Sequence, residues 1–126
     1  MSLFDRLLGN AGQIDNQKVE SAVKEILADN EKLEISFKLV RDLVIFTNKR
    51  LIMVDVQGTG AKKVMQSIPY YSISRFSIET AGINDLDSEL KLYIAASSKE
   101  VVSLELGRNK ENVYKIAKTL ANELFA

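Results

Sequence analysis

The sequence contains no cysteine and no histidine. The first absence excludes a disulfide framework, a thiolate nucleophile and a cysteine zinc site. The second removes the commonest general base and the commonest transition-metal ligand, so no metal centre and no cofactor is expected. There is also no excess charge of either sign: 17 Lys and Arg balance 17 Asp and Glu. A nucleic-acid-binding chain usually carries a basic surplus, so no nucleic-acid partner is expected. No apolar run approaches the length of a membrane span. The opening residues, MSLFDRLLGN, lack the basic leader, long apolar centre and small-residue cleavage site of a secretory signal. A cytoplasmic location is the expectation.

What is present is an ordinary globular balance, 46% hydrophobic and 27% charged over 126 residues. That suits one domain with a genuine core. The chain divides into an apolar N-terminal segment, residues 1–10, and a single domain, residues 11–126. In the N-terminal segment Leu3, Phe4, Leu7 and Leu8 form one apolar face of about two helical turns. So short a helix is not stable alone, and its face needs a surface, either on its own domain or on a neighbouring subunit. Asp5 and Arg6 give it no basic face for anionic lipid. A second helix is predicted over about 16–28, capped by Asp15 or Asn16, with Val19, Val23, Ile26 and Leu27 as its apolar stripe.

From Glu34 the hydrophobic period changes from 3.6 to 2. Ile35, Phe37 and Leu39 alternate with Ser36 and Lys38, as in a half-buried strand. Arg41-Asp42 makes a corner, and Leu43–Asn48 is a second strand. Asn48-Lys49 turns the chain, Asn supplying the positive φ of a two-residue hairpin, and Arg50–Val56 pairs back. Further strands are predicted at Val64–Ile68, ended by Pro69, and at Ile73–Thr80, where a bulge near Ser74-Arg75 reconciles two phases. Glu89–Ala96 and Glu100–Leu106 complete seven. A terminal helix follows, with Val113, Ile116, Ala117, Leu120 and Leu124 on one face. Connections too short for crossovers impose antiparallel pairing. The expected fold is mainly β with helices (α+β): a seven-stranded antiparallel barrel capped by a C-terminal amphipathic helix, with an added N-terminal helix.

Arg41-Asp42, FTNKRLI at 46–52, Gly58-Thr59-Gly60, Ile68-Pro69-Tyr70, ETAG at 79–82 and the acidic run Asp85, Asp87, Glu89-Leu90 together resemble the bacterial PH-domain family, formerly a domain of unknown function. The resemblance spans about residues 15–125 and implies a pleckstrin-homology-like (PH-like) barrel. It also implies assembly of small members into homo-oligomeric rings. The chain departs from lipid-binding eukaryotic PH domains in two ways: its first hairpin loop pairs one acid with one base, and it has no tryptophan. Inositol-phosphate binding therefore does not come with the fold.

The function expected is a non-enzymatic assembly or adaptor module that self-associates, with a cyclic ring as the implied form, and mediates protein–protein interaction. Its interface candidates are Leu3, Phe4, Leu7, Leu8, Tyr70 and Tyr71; only one of the two adjacent tyrosines can face a core, which leaves the other for contact. The alternative is peripheral binding of an anionic lipid or phosphate ligand through Lys49, Arg50, Lys62 and Lys63. A solvated pair of turns is the plainer account of those cations in a neutral chain. The glycines at 58 and 60 lack the Gly-Lys-Ser/Thr ending and following helix of a phosphate loop. Asp85, Asp87 and Glu89 lack the glycine and distal glutamate of a calcium loop. A Ser-Lys dyad with Lys91 or Lys99 has no support in the spacing, so catalysis is not expected.

Overall fold

The computed structural model describes residues 12–14, 16–39, 42–57, 62–79, 88–94, 102–107 and 110–125. It separates into two compact units, Met1–Ile68 and Pro69–Ala126. The described strands number eight rather than seven, in an antiparallel sheet of five and another of three. The loops at 58–61 and 80–87 lie outside the described residues, as do Arg41 and residues 1–10.

The first unit holds β1 (Gly12–Ile14), α1 (Asn16–Val23), β2 (Leu33–Lys38), β3 (Asp42–Thr47), β4 (Arg50–Gln57) and β5 (Lys62–Pro69, whose proline begins the second unit). The sheet order is β1-β2-β3-β4-β5. The additional strand, β1, pairs with the outer edge of β2 through Gly12↔Lys38, Gln13↔Phe37 and Ile14↔Ser36. Three residues give no periodic pattern to detect, so β1 was invisible to sequence periodicity.

The central strands are covered on both faces. Leu43 and Ile45 of β3 stand opposite Val54 and Ile52 of β4, and these four pack with Val19 and Val23 of α1 in one buried cluster. The other face carries Phe37, Val44, Phe46, Leu51 and Met53, all buried. Phe37 and Phe46 meet edge to face, with ring centroids 6.1 Å apart. The unbroken runs LVIF and LIMV are thus strands with two apolar sides rather than one. Ser36 departs from the expected half-buried pattern for the same reason. It is opposite Ile45 on the α1 side and fully buried, and its hydroxyl has no hydrogen-bond partner.

α1 is shorter than the predicted 16–28. It stops at Val23, and Ile26 N–H donates to the Val23 carbonyl in a turn. Val19 and Val23 are buried and Leu27 packs partly on the cluster, but Ile26 is exposed. The turn bends the chain toward the β3–β4 hairpin, where the Ile26 carbonyl has a side-chain partner described below.

The second unit begins with a single 3-10 turn, Tyr70–Ser72, then β6 (Ile73–Glu79), β7 (Ser88–Ile94), β8 (Val102–Gly107) and α2 (Lys110–Leu124). The sheet order is β6-β7-β8. The register shifts between Ile73 and Arg75, the bulge that the two-phase sequence pattern required. Leu90 and Leu92 are buried, as are Val113, Ile116 and Leu120 of α2. α2 lies against β6 and the 3-10 turn, and Phe125 just beyond it stacks on Phe76 at 6.1 Å. No described helix is long and apolar enough to cross a membrane.

Candidate functional site

The densest polar arrangement among the described residues is at the β3–β4 hairpin. Thr47 follows Ile45 on the α1 side of β3, and its hydroxyl closes the turn. The Thr47 Oγ1 accepts from Lys49 N–H at 3.1 Å and Arg50 N–H at 2.9 Å, and donates to Glu31 Oε2 at 2.6 Å. Asn48 does not turn the chain by a positive φ as its identity suggested. Among the described non-glycine residues only Asn30 has one, at 62°. Asn48 acts through its side chain instead: Oδ1 accepts from Lys32 N–H at 2.8 Å and Nδ2 donates to the Asn30 carbonyl at 3.1 Å.

Glu31 is the hub. Its side chain has no exposed surface, against 22% for Arg50. Arg50 Nε donates to Oε2 and Nη2 to Oε1, both at 2.9 Å. Ala28 N–H adds a 2.9 Å bond to Oε1. With Thr47, four donors occupy the four lone-pair positions of the carboxylate. Burial alone would raise the Glu31 pKa; the hydrogen bonds from Arg50, Thr47 and Ala28, with the Arg50 charge, outweigh it and lower the value from 4.5 to about 2. Such a group is ionised and saturated, with no lone pair left to take a proton from a substrate.

Arg50 is also largely committed, with four of its five N–H donors engaged. Beyond Glu31, Nη2 donates to the Ile26 carbonyl at 2.6 Å and Nη1 to Ser67 Oγ at 2.8 Å. The guanidinium thus ties the α1–β2 connection and β5 to the hairpin. Of the four cations considered for an anion site, Lys49 is exposed at the hairpin tip and Arg50 is engaged in this brace. The side chains of Lys62 and Lys63 lie outside the described residues.

Replacing Thr47 with valine keeps the shape but removes the turn-closing acceptor and one donor to Glu31. We expect a loss of about 2 kcal/mol in urea unfolding, with Thr47→Ser largely restoring it. A valine variant as stable as the parent would show that the hydroxyl does not hold the hairpin.

The interface candidates fall differently. Tyr70 and Tyr71, between the predicted strands, occupy the 3-10 turn, Tyr70 half-buried and Tyr71 92% exposed. Ser72 Oγ donates to the Pro69 carbonyl at 2.8 Å and fixes the turn. Tyr114 and Phe125, in the same unit, are also largely exposed. On β6 and β7, Arg75 sits 4.1 Å over the Tyr93 ring. Leu3, Phe4, Leu7 and Leu8 are outside the described residues. No group of three or more potential metal-binding side chains occurs among the described residues.

Comparison with known proteins gives this geometry its context. The bacterial PH domain family model matches residues 2–124. The chain belongs to the bacterial PH-domain family. Among relatives, the Bacillus subtilis (strain 168) uncharacterized protein YjqA is 52% identical over 122 residues, covering 96% of this chain and 97% of its own. A pleckstrin homology domain from Shewanella amazonensis SB2B is similar in structure, with a TM-score of 0.78 at 44% identity, covering 89% of this chain and all of that one. A DUF1696 family protein with a pleckstrin-homology domain from Shewanella loihica PV-4 gives 0.76 at 39%, covering 91% and 97%. The PH-like fold, antiparallel sheets with a C-terminal helix, is therefore established for this bacterial PH domain.

The FTNKR run, one of the motifs that carried the resemblance, supplies Thr47, Asn48 and Arg50 to the brace just described. Its partner Glu31, 19 residues before Arg50, was not singled out. One of three acids in the polar run ADNEKLE, it carries no periodic signal, and only the fold brings it to the hairpin.

Proposed function

We propose that this bacterial PH domain is a non-enzymatic assembly or adaptor module that binds protein, copies of itself included, and that the self-assembly is a ring. The observation that carries this reading is Tyr71, 92% exposed on a turn closed by Ser72. A large amphipathic ring on a fixed turn makes contact area at low entropic cost, and tyrosine is enriched at the anchoring positions of interfaces. Tyr114 and Phe125 add exposed aromatic surface in the same unit. The proposal includes Tyr70 and the N-terminal Leu3, Phe4, Leu7 and Leu8 as further contacts, and a cytoplasmic location. Phosphate or anionic-lipid binding through Lys49, Arg50, Lys62 and Lys63 is the weaker alternative, because Arg50 spends its donors on Glu31, Ile26 and Ser67.

Sedimentation velocity tests the reading. At on the order of 50 µM, where a standard-size interface is populated, the full chain should sediment as an oligomer. Tyr71→Ala should weaken that assembly by about tenfold or more in concentration, the effect of losing an aromatic anchor. A monomeric parent overturns the proposal; an unchanged oligomer with Tyr71→Ala removes Tyr71 from the interface.

A further inference from the structure

One face of the five-stranded sheet is covered by α1 and one edge of it is paired with β1, and three features make this cover separable. First, among the described residues its edge pairing is minimal: β1 contributes three residues against β2. Second, α1 has only eight residues, with no acid in its first turn and no base in its last to favour the helix dipole. Third, the surface beneath is imperfect, because Ser36 Oγ is sealed on the α1 side without a hydrogen-bond partner. A buried hydroxyl in that state favours any rearrangement that lets water reach it.

The exit from the segment is fastened, by contrast. Arg50 holds the Ile26 carbonyl, and Glu31 holds the Ala28 N–H. Between this anchor and α1 lie only Lys24 and Glu25, both exposed and in the turn. The chain thus has a fixed anchor at 26–31, a short exposed pivot at 24–25, and a lightly attached segment on the far side.

From this geometry we propose that β1 and α1 form a strap that detaches from the five-stranded sheet as one unit, pivoting at Lys24-Glu25, while β2–β5 stay folded. Opening uncovers the outer edge of β2 and the apolar face of Leu43, Ile45, Ile52 and Val54, and hydrates Ser36. The strap stands independently of self-association, since it concerns contacts within the first unit alone.

The absence of cysteine provides the test. Val54 and Val44 are both 0% exposed, Val54 beneath the strap and Val44 on the opposite face. The full chain carrying either Val54→Cys or Val44→Cys is exposed to a maleimide under native conditions. Local opening predicts that Val54→Cys reacts at least about tenfold faster. Rates equal within about twofold, or Val44→Cys reacting faster, mean that only global unfolding exposes this face and overturn the strap. If either variant fails to fold by circular dichroism, amide hydrogen exchange on the unsubstituted chain decides. Residues 20–23 should then exchange at least about tenfold faster than the core of β3, and equal protection rejects the proposal.

Discussion

Arg50→Ala is expected to cost roughly 3–5 kcal/mol of stability, and to change how the protein responds to acid. The loss comes less from removing an attraction than from what is left behind. Glu31 would keep its buried carboxylate with two donors, Thr47 and Ala28, instead of four. The Ile26 carbonyl and Ser67 Oγ would also lose their partner. In the parent the folded-state pKa of Glu31, about 2, lies below its ordinary 4.5. A lowered carboxyl pKa stabilises fully above the unfolded value and is lost as pH falls through the folded one. The gap corresponds to about 3 kcal/mol, present above pH 4.5 and eroding toward pH 2. Without Arg50, burial is no longer outweighed to the same extent and the Glu31 carboxyl protonates at higher pH. Urea midpoints measured from pH 7 down to 2 should therefore fall steeply below 4.5 in the parent and much less in the variant. Arg50→Lys, which keeps charge but not the forked geometry, should lie between them. Parallel profiles for parent and Arg50→Ala would remove the hairpin brace as a source of stability.

Ile45→Lys is expected to be the most damaging single substitution, costing more than about 4 kcal/mol of stability. In a sheet with one wet face, every second position of a strand accepts a lysine. Here Ile45 and its neighbours Val44 and Phe46 are all 0% exposed, and Ile45 faces Val19 and Val23 of α1. A lysine there would bury an unpaired charge or lift α1 away. Lysine at Gln66, exposed in β5, serves as the control and should change stability by less than about 0.5 kcal/mol. A folded Ile45→Lys chain with near-parent stability would mean that the α1 side of the sheet is not a core.

The fold was legible where side-chain period and turn chemistry agreed. The bulge at Ser74-Arg75 followed from two phases in one strand, and it is present. The stripe Val113, Ile116, Leu120 on α2 is buried as its spacing requires. What failed did so for physical reasons. Ser36 was placed on a solvated face because alternation within one strand cannot reveal a helix packing from elsewhere. The length of α1 was overestimated because Ile26 and Leu27 continue its apolar spacing, while Arg50, 24 residues away, draws the Ile26 carbonyl into the brace. Asn48 was assigned to the turn for its backbone tolerance, whereas its amide bridges two strands' connections. At the candidate site, composition made an exposed tyrosine foreseeable after Pro69, but the partner of Arg50 was not. Ion pairs distant in sequence leave no local pattern.

The saturation of the hairpin brace also bears on what the family resemblance can transmit. Thr47, Asn48 and Arg50 carry the resemblance in the run FTNKR, and each has its side-chain groups committed to a neighbour within the first unit. A chain that shares those letters, with an acid placed to meet the arginine, would inherit the same scaffold whatever it contacts. The vocabulary that names such a domain describes its carpentry; under the function proposed above, the information about its partners is written elsewhere, on projecting groups such as Tyr71.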